Sequence, residues 1–88
     1  MPPEQQPDEP SASAMPLAAA QRGDQLALVR VEGGTQFQHR MAEMGLTPGS
    51  RFTVVSAGRP GPFIISVKGS RLVIGRGMIH RVFVRPIE

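Results

Sequence analysis

The stretch Met-Ala-Glu-Met-Gly-Leu-Thr-Pro-Gly-Ser-Arg-Phe-Thr-Val-Val at residues 41–55 holds, in order, a helix end, a glycine stop, a proline-glycine turn and the start of a strand. At about 100° per residue, Phe37, Met41 and Met44 share one stripe while His39, Ala42 and Glu43 face away, which predicts a short amphipathic helix. Thr35 offers an N-cap hydroxyl, and Gly45 follows the last periodic residue, where a left-handed residue closes a helix. Leu46 then folds back on the helix. Pro48 and Gly49 suit the central positions of a type II turn, because proline presets φ and glycine accepts a positive φ.

Outward from this stretch the chain is a series of short apolar runs cut by turn signals, the pattern of a small β-rich domain. Residues 26–31 read as a first strand, with Val29 and Val31 on one face and Leu28 and Arg30 on the other, ended by Glu32-Gly33-Gly34. Downstream, Phe52 and Val54 alternate with Thr53 and Val55 over 51–56, and Ile65 and Val67 alternate with Ile64 and Ser66 over 63–68. Residues 58–62 connect these two strands. Lys68-Gly69-Ser70-Arg71 turns tightly into Leu72-Val73-Ile74, which Gly75-Arg76-Gly77 ends; after a turn carrying Met78 and Ile79, residues 81–85 alternate again. Val82 and Val84 point inward there, with Arg81, Phe83 and Arg85 outward. About five strands are too few for a sandwich of two full sheets, so the pattern predicts a mainly β chain. It closes as a small, partly open barrel with one short helix between the first and second strands. SH3-like and OB-like barrels both fit that strand count.

A chain of 88 residues supports a single modest core. Residues 1–16 hold prolines 2, 3, 7, 10 and 16 and the acids Glu4, Asp8 and Glu9, with no Lys or Arg. Such a segment has too little apolar surface to offset its ordering entropy, which predicts a disordered, acidic, Pro-rich tail over residues 1–15 and one domain over 16–88. The net charge of +3 therefore conceals a body of +6 behind a tail of −3, and nine of the ten cations are Arg. Planar guanidinium groups suit anionic partners, nucleic acid among them.

The absence of cysteine excludes disulfides, thiolate-bound zinc, iron–sulfur clusters and thiol nucleophiles. No apolar run reaches the roughly 18 residues of a membrane-spanning helix, and the acidic N-terminal segment is unlike a signal peptide; both point to the cytoplasm. Nothing matches a P-loop or a Gly-x-Ser-x-Gly elbow, so neither a catalytic function nor a cofactor is expected.

His39 and Glu43, four residues apart on the polar helix face, could share a metal or simply pair in solvent. Two ligands do not complete a site, and His80 would have to converge on them. Met41 and Met44 share the apolar stripe with Phe37, so packing accounts for the methionines, Met15 and Met78 included, better than a soft-metal site. Arg81, Phe83 and Arg85, with Arg76 close in sequence, form an aromatic flanked by planar cations, suited to a protein partner or to base stacking. Leu46 to Pro48 makes either an apolar bump at a rigid turn, suited to docking, or a staple that closes the helix end. Ile64 faces outward, an edge open to pairing with another chain or to cover by Leu17.

The residues at 41–55 resemble the helix, glycine stop and Pro-Gly turn of the ferrous-iron transport protein A (FeoA) family, usually Leu-x-x-x-Gly-[Leu/Met]-x-Pro-Gly before a strand. The resemblance extends back through Pro16-Leu17, Gly23 and Val29-x-Val31, and forward through Gly61-Pro62, Ile65-x-Val67, Leu72 and Val82-x-Val84. This chain has Met41 where the family commonly has Leu, an added Pro-rich tail, and two glycines in the Gly75-Arg76-Gly77 turn where a longer helical turn is usual. The resemblance implies an SH3-like barrel that serves as a non-catalytic cytoplasmic accessory of the ferrous-iron permease, whose own cytoplasmic end binds GTP. It also implies likeness to a domain of iron-dependent repressors.

Periodicity assigns the helix stripe and the inward strand residues to the core. Leu46, Pro48, Arg76, Arg81 and Phe83 remain as the expected docking surface for the permease's cytoplasmic domain, with Leu46 and Phe83 as apolar anchors. The rival readings are a small basic nucleic-acid-binding barrel, carried by the +6 body and the Arg-Phe-Arg strand, and a repressor-type SH3-like interaction module.

Overall fold

The computed structural model describes residues 14–58 and 61–87. The chain forms six strands, β1 (Met15–Pro16), β2 (Gln25–Val31), β3 (Arg51–Ala57), β4 (Phe63–Val67), β5 (Ser70–Ile74) and β6 (Val82–Pro86). Helix α1 (Thr35–Glu43) joins β2 to β3, the one-turn α2 (Arg76–Ile79) joins β5 to β6, and a 3-10 turn (Leu17–Ala19) follows β1. All strands lie in one antiparallel sheet in the order β1-β6-β2-β3-β4-β5. The mainly β architecture with one main helix between early strands is the expected one.

Alternation explains which side chains face inward. Phe52 and Val54 of β3, Phe63, Ile65 and Val67 of β4, and Val82 and Val84 of β6 are all buried, and Met41 of α1 is wholly so. Strand β2 departs from strict alternation. A register shift between Leu28 and Arg30 inserts Val29 as an extra residue, so that Leu28 pairs with Val84 and Val31 with Val82. Leu28 and Val31 thus face the same core, where simple alternation sets them on opposite faces. Leu26, Ala27 and Leu28 are the buried members, and Val29 is only half-buried. A second shift, between Val54 and Ser56, bends β3 in the same way.

Two further expectations are corrected. Thr35 is the first residue of α1 rather than its cap; Gly34 holds the N-cap position and no side chain caps the helix. The sheet has six strands rather than about five because Met15 and Pro16 pair with Val84 and Phe83. Met15 therefore belongs to the barrel. The tail expected over residues 1–15 otherwise falls, through residue 13, outside the described residues, as do residues 59–60 of the β3–β4 connection.

The helix exit is a Schellman closure. The Gly45 amide donates to the Ala42 carbonyl and the Leu46 amide to the Met41 carbonyl, each at 2.9 Å, with Gly45 at φ 90°. The hydrophobic contact that accompanies this motif joins Met41 and Leu46, both buried. Next, the Ser50 amide donates to the Thr47 carbonyl at 2.9 Å across Pro48 and Gly49, whose φ is 94°, the type II turn read from the sequence. Ser50 Oγ donates to the Gly45 carbonyl at 2.9 Å, and the Gly49 amide to the Leu28 carbonyl at 2.8 Å, tying helix exit and turn to β2.

A Cβ at Gly45 would meet no atom within 4 Å, so only backbone strain opposes it. Gly45→Ala is expected to lose about 1 kcal/mol from that strain. Denaturant unfolding followed by circular dichroism measures it; unchanged stability would show that the positive φ carries no cost.

Candidate docking surface

The outward face of β6 meets the second half of β2. Register places Arg30 opposite Phe83, with Pro16 of β1 on the other side of Phe83. The Arg30 guanidinium lies over the Phe83 ring, its Cζ 4.3 Å from the centroid. Arg30 Nε donates to Glu32 Oε2 at 2.9 Å, while its Nη1 is buried with no hydrogen-bond partner among the described residues. One turn of chain away, Arg81 lies 5.4 Å over the Phe37 ring, and the Arg81 carbonyl accepts the Glu32 amide at 2.7 Å. Two guanidinium-on-ring stacks, each worth about 0.5–1 kcal/mol at an exposed site, thus meet around Glu32. They bring β2, β6 and the start of α1 together in a cationic surface with aromatic bodies beneath the charge.

The five residues expected to dock are not one patch. Phe83, half-buried, and Arg81, exposed, belong to the surface just described. Pro48 is exposed on the turn tied to β2 at Leu28, two residues before Arg30 on the same strand. Arg76, at the start of α2, lines a separate hollow of about 260 Å³ with Ala18, Ala57, Phe63, Ile79 and His80. Leu46 is 3% exposed and belongs to the core, so it is unavailable as an anchor: the Schellman closure turns its side chain inward onto Met41. Phe83 also differs from the open anchor expected, because Arg30 covers one face of its ring.

Arg30 and Phe37 are the surface residues that sequence reasoning missed. Phe37, which its spacing assigns to the core, packs only partly against it while offering a ring to Arg81. Arg30 carried one usable signal, an outward position near the end of the strand that pairs with the last strand. Ile64 is on β4, an inner strand of the sheet, and Leu17 is buried in the core, so Ile64 is not on an edge. His39 Nε2 stands 3.1 Å from Glu43 Oε2 on the exposed helix face. His80 lines the hollow beside Arg76, and among the described residues no three His, Cys, Asp or Glu side chains converge to hold a metal. Among those residues, too, no helix is long and apolar enough to cross a membrane.

The family model of the FeoA domain matches residues 15–86, from the first strand of the sheet through the last. The chain belongs to the FeoA family. This is an accessory family of Fe(2+) transport. A relative from Methanocaldococcus jannaschii, provisionally named Fe(2+) transport protein A, is 36% identical over 73 residues, covering 83% of this chain and 88% of its own. A crystal structure of a FeoA iron uptake regulatory protein is 39% identical with a TM-score of 0.77, covering 84% of this chain and 99% of that one. The SH3-like fold expected from the sequence is the fold these FeoA structures share. The solution structure of FeoA from Chlorobium tepidum (21% identical, TM-score 0.74, 84% and 71% covered) has the same fold. So does part of a manganese-dependent transcriptional repressor (20% identical, TM-score 0.75, 84% and 42% covered).

Proposed function

We propose that this FeoA chain is a non-catalytic cytoplasmic adaptor that docks on the GTP-binding cytoplasmic part of the ferrous-iron permease and modulates its assembly or activity. The observation that carries the reading is the pair of guanidinium-on-ring stacks, Arg30 on Phe83 and Arg81 on Phe37. Stacked arginines and aromatics are the residue types that dominate protein interfaces, because their planar bodies bury area while their charge steers encounter. The same stack weighs against nucleic acid, since a ring already covered by Arg30 is a poor platform for a base. Arg76 lies outside this surface.

Phe83→Ser and Arg81→Glu test the reading. Both positions face outward, so each variant is expected to keep the circular dichroism spectrum of the parent and to bind the purified cytoplasmic domain of the permease at least about tenfold more weakly. Parental affinity in both folded variants would refute this surface. In parallel, titration of the parent against labelled oligonucleotides at rising salt is expected to show only weak, salt-sensitive association. Tight binding that persists would favour the nucleic-acid reading.

A further inference from the structure

Among the described residues strand β5 pairs only with β4, which leaves it at an edge of the sheet. It is entered through the two-residue turn Lys68-Gly69, whose φ values of 51° and 83° are both positive, as in a type I′ hairpin. Such a turn makes Val67 and Ser70 a hydrogen-bonded pair, and antiparallel ladders alternate from there. Ser70, Leu72 and Ile74 therefore spend their backbone groups on β4, while the amides and carbonyls of Arg71 and Val73 face away from the sheet. Ser70, Arg71 and Val73 are exposed, and Val73, at 64%, is the exposed large hydrophobic residue among the described ones. Its cross-strand neighbour on the same face is the half-buried Ile64.

Charge decides what can pair there. Residues 44–87 contain seven Lys or Arg and not one Asp or Glu. Lys68 precedes the strand, Arg71 lies within it, and Arg76 follows it, all exposed. A cationic edge is a common defence against strand-to-strand association, because a second copy would bring like charges together. The same charges attract a strand of opposite sign. We infer that the β5 edge accepts an extended acidic segment of a partner protein by strand addition, its main chain bonding to Arg71 and Val73, an apolar side chain resting on Val73 and Ile64, and its carboxylates meeting Lys68, Arg71 and Arg76. Three strands lie between this edge and β6 in the sheet, so the inference stands apart from the docking surface proposed above.

The test uses the full chain and a capped seven-residue peptide of alternating Glu and Val, with alternating Lys and Val as its counterpart, read by amide hydrogen exchange. The acidic peptide is expected to slow exchange at Arg71 and Val73 at least tenfold and leave Leu72, already bonded to β4, unchanged. The basic peptide is expected to leave all three amides unchanged, and the exposed substitution Arg71→Glu to weaken the protection given by the acidic peptide. Three results would overturn the inference: exchange at Arg71 and Val73 that ignores the acidic peptide, equal protection by both peptides, or protection of the two amides in the free chain, which would mean the edge is already paired with the chain itself or a second copy.

Discussion

Leu46→Ser is expected to destabilise the barrel by about 3–5 kcal/mol, as loss of a buried leucine and burial of a hydroxyl act together. Leu46 closes the Schellman motif by resting on Met41, and Met41 is the one fully buried residue of α1. The substitution therefore loosens both the helix exit and the contact that seats the helix on the sheet. A domain this small has stability near the lower end of about 5–15 kcal/mol, so the variant should be largely unfolded at modest denaturant. The chain has no Trp or Tyr, which makes circular dichroism the suitable probe of a urea titration. A midpoint close to the parent's would show that Leu46 is a surface residue after all. Any loss of partner binding by this variant would report unfolding, which is why Phe83 and Arg81 are the positions to test for docking.

The second large effect separates two consecutive isoleucines. Ile65→Ala is expected to cost about 2–5 kcal/mol, whereas Ile64→Ala should cost about 1 kcal/mol or less. Ile65 has no exposed surface and pairs with Val54 and Leu72 across the sheet, while Ile64 lies on the outer face opposite Val73. Side chains alternate along a strand, so adjacent positions sample core and surface with the same residue type. Equal costs, measured as the shift in urea midpoint, would mean that the outer face of β4 is covered by something beyond the chain's own described residues.

Where a backbone restriction is local, the residues announced it. Gly45 and Gly49 needed positive φ for reasons contained within four or five neighbours, and Phe52, Val54, Ile65 and Val67 declared their faces by period. What was illegible depended on strands distant in sequence. Met15–Pro16 is too short to show a period and exists as a strand because Val84 and Phe83 are there to pair with it. The bulge at Val29 reflects the fit of Leu28 and Val31 onto Val84 and Val82, and without it Arg30 would not face Phe83. The cation–aromatic surface was therefore half visible, as Arg81 just before the last strand and Phe83 on it, and half hidden until the first long strand was set beside it. Leu46 was ambiguous for another reason: only the direction in which the chain leaves the helix decides between bump and staple.

That β2–β6 pairing has a kinetic consequence. The helix, its exit turn and the β3–β4–β5 meander join neighbours in sequence, and closing such short loops is fast. Bringing Leu28 to Val84 instead requires closing most of the domain into a single loop before any ladder bond repays the lost chain entropy. The barrier to folding is therefore expected to contain the meander already formed and the last strand still free. In that case Val84→Ala accelerates unfolding and leaves the refolding rate nearly unchanged, whereas Val54→Ala slows refolding. The last strand to arrive is also the one that carries Phe83, so the cationic stack assembles only when the barrel closes, and a partner that recognises it reads out completed folding.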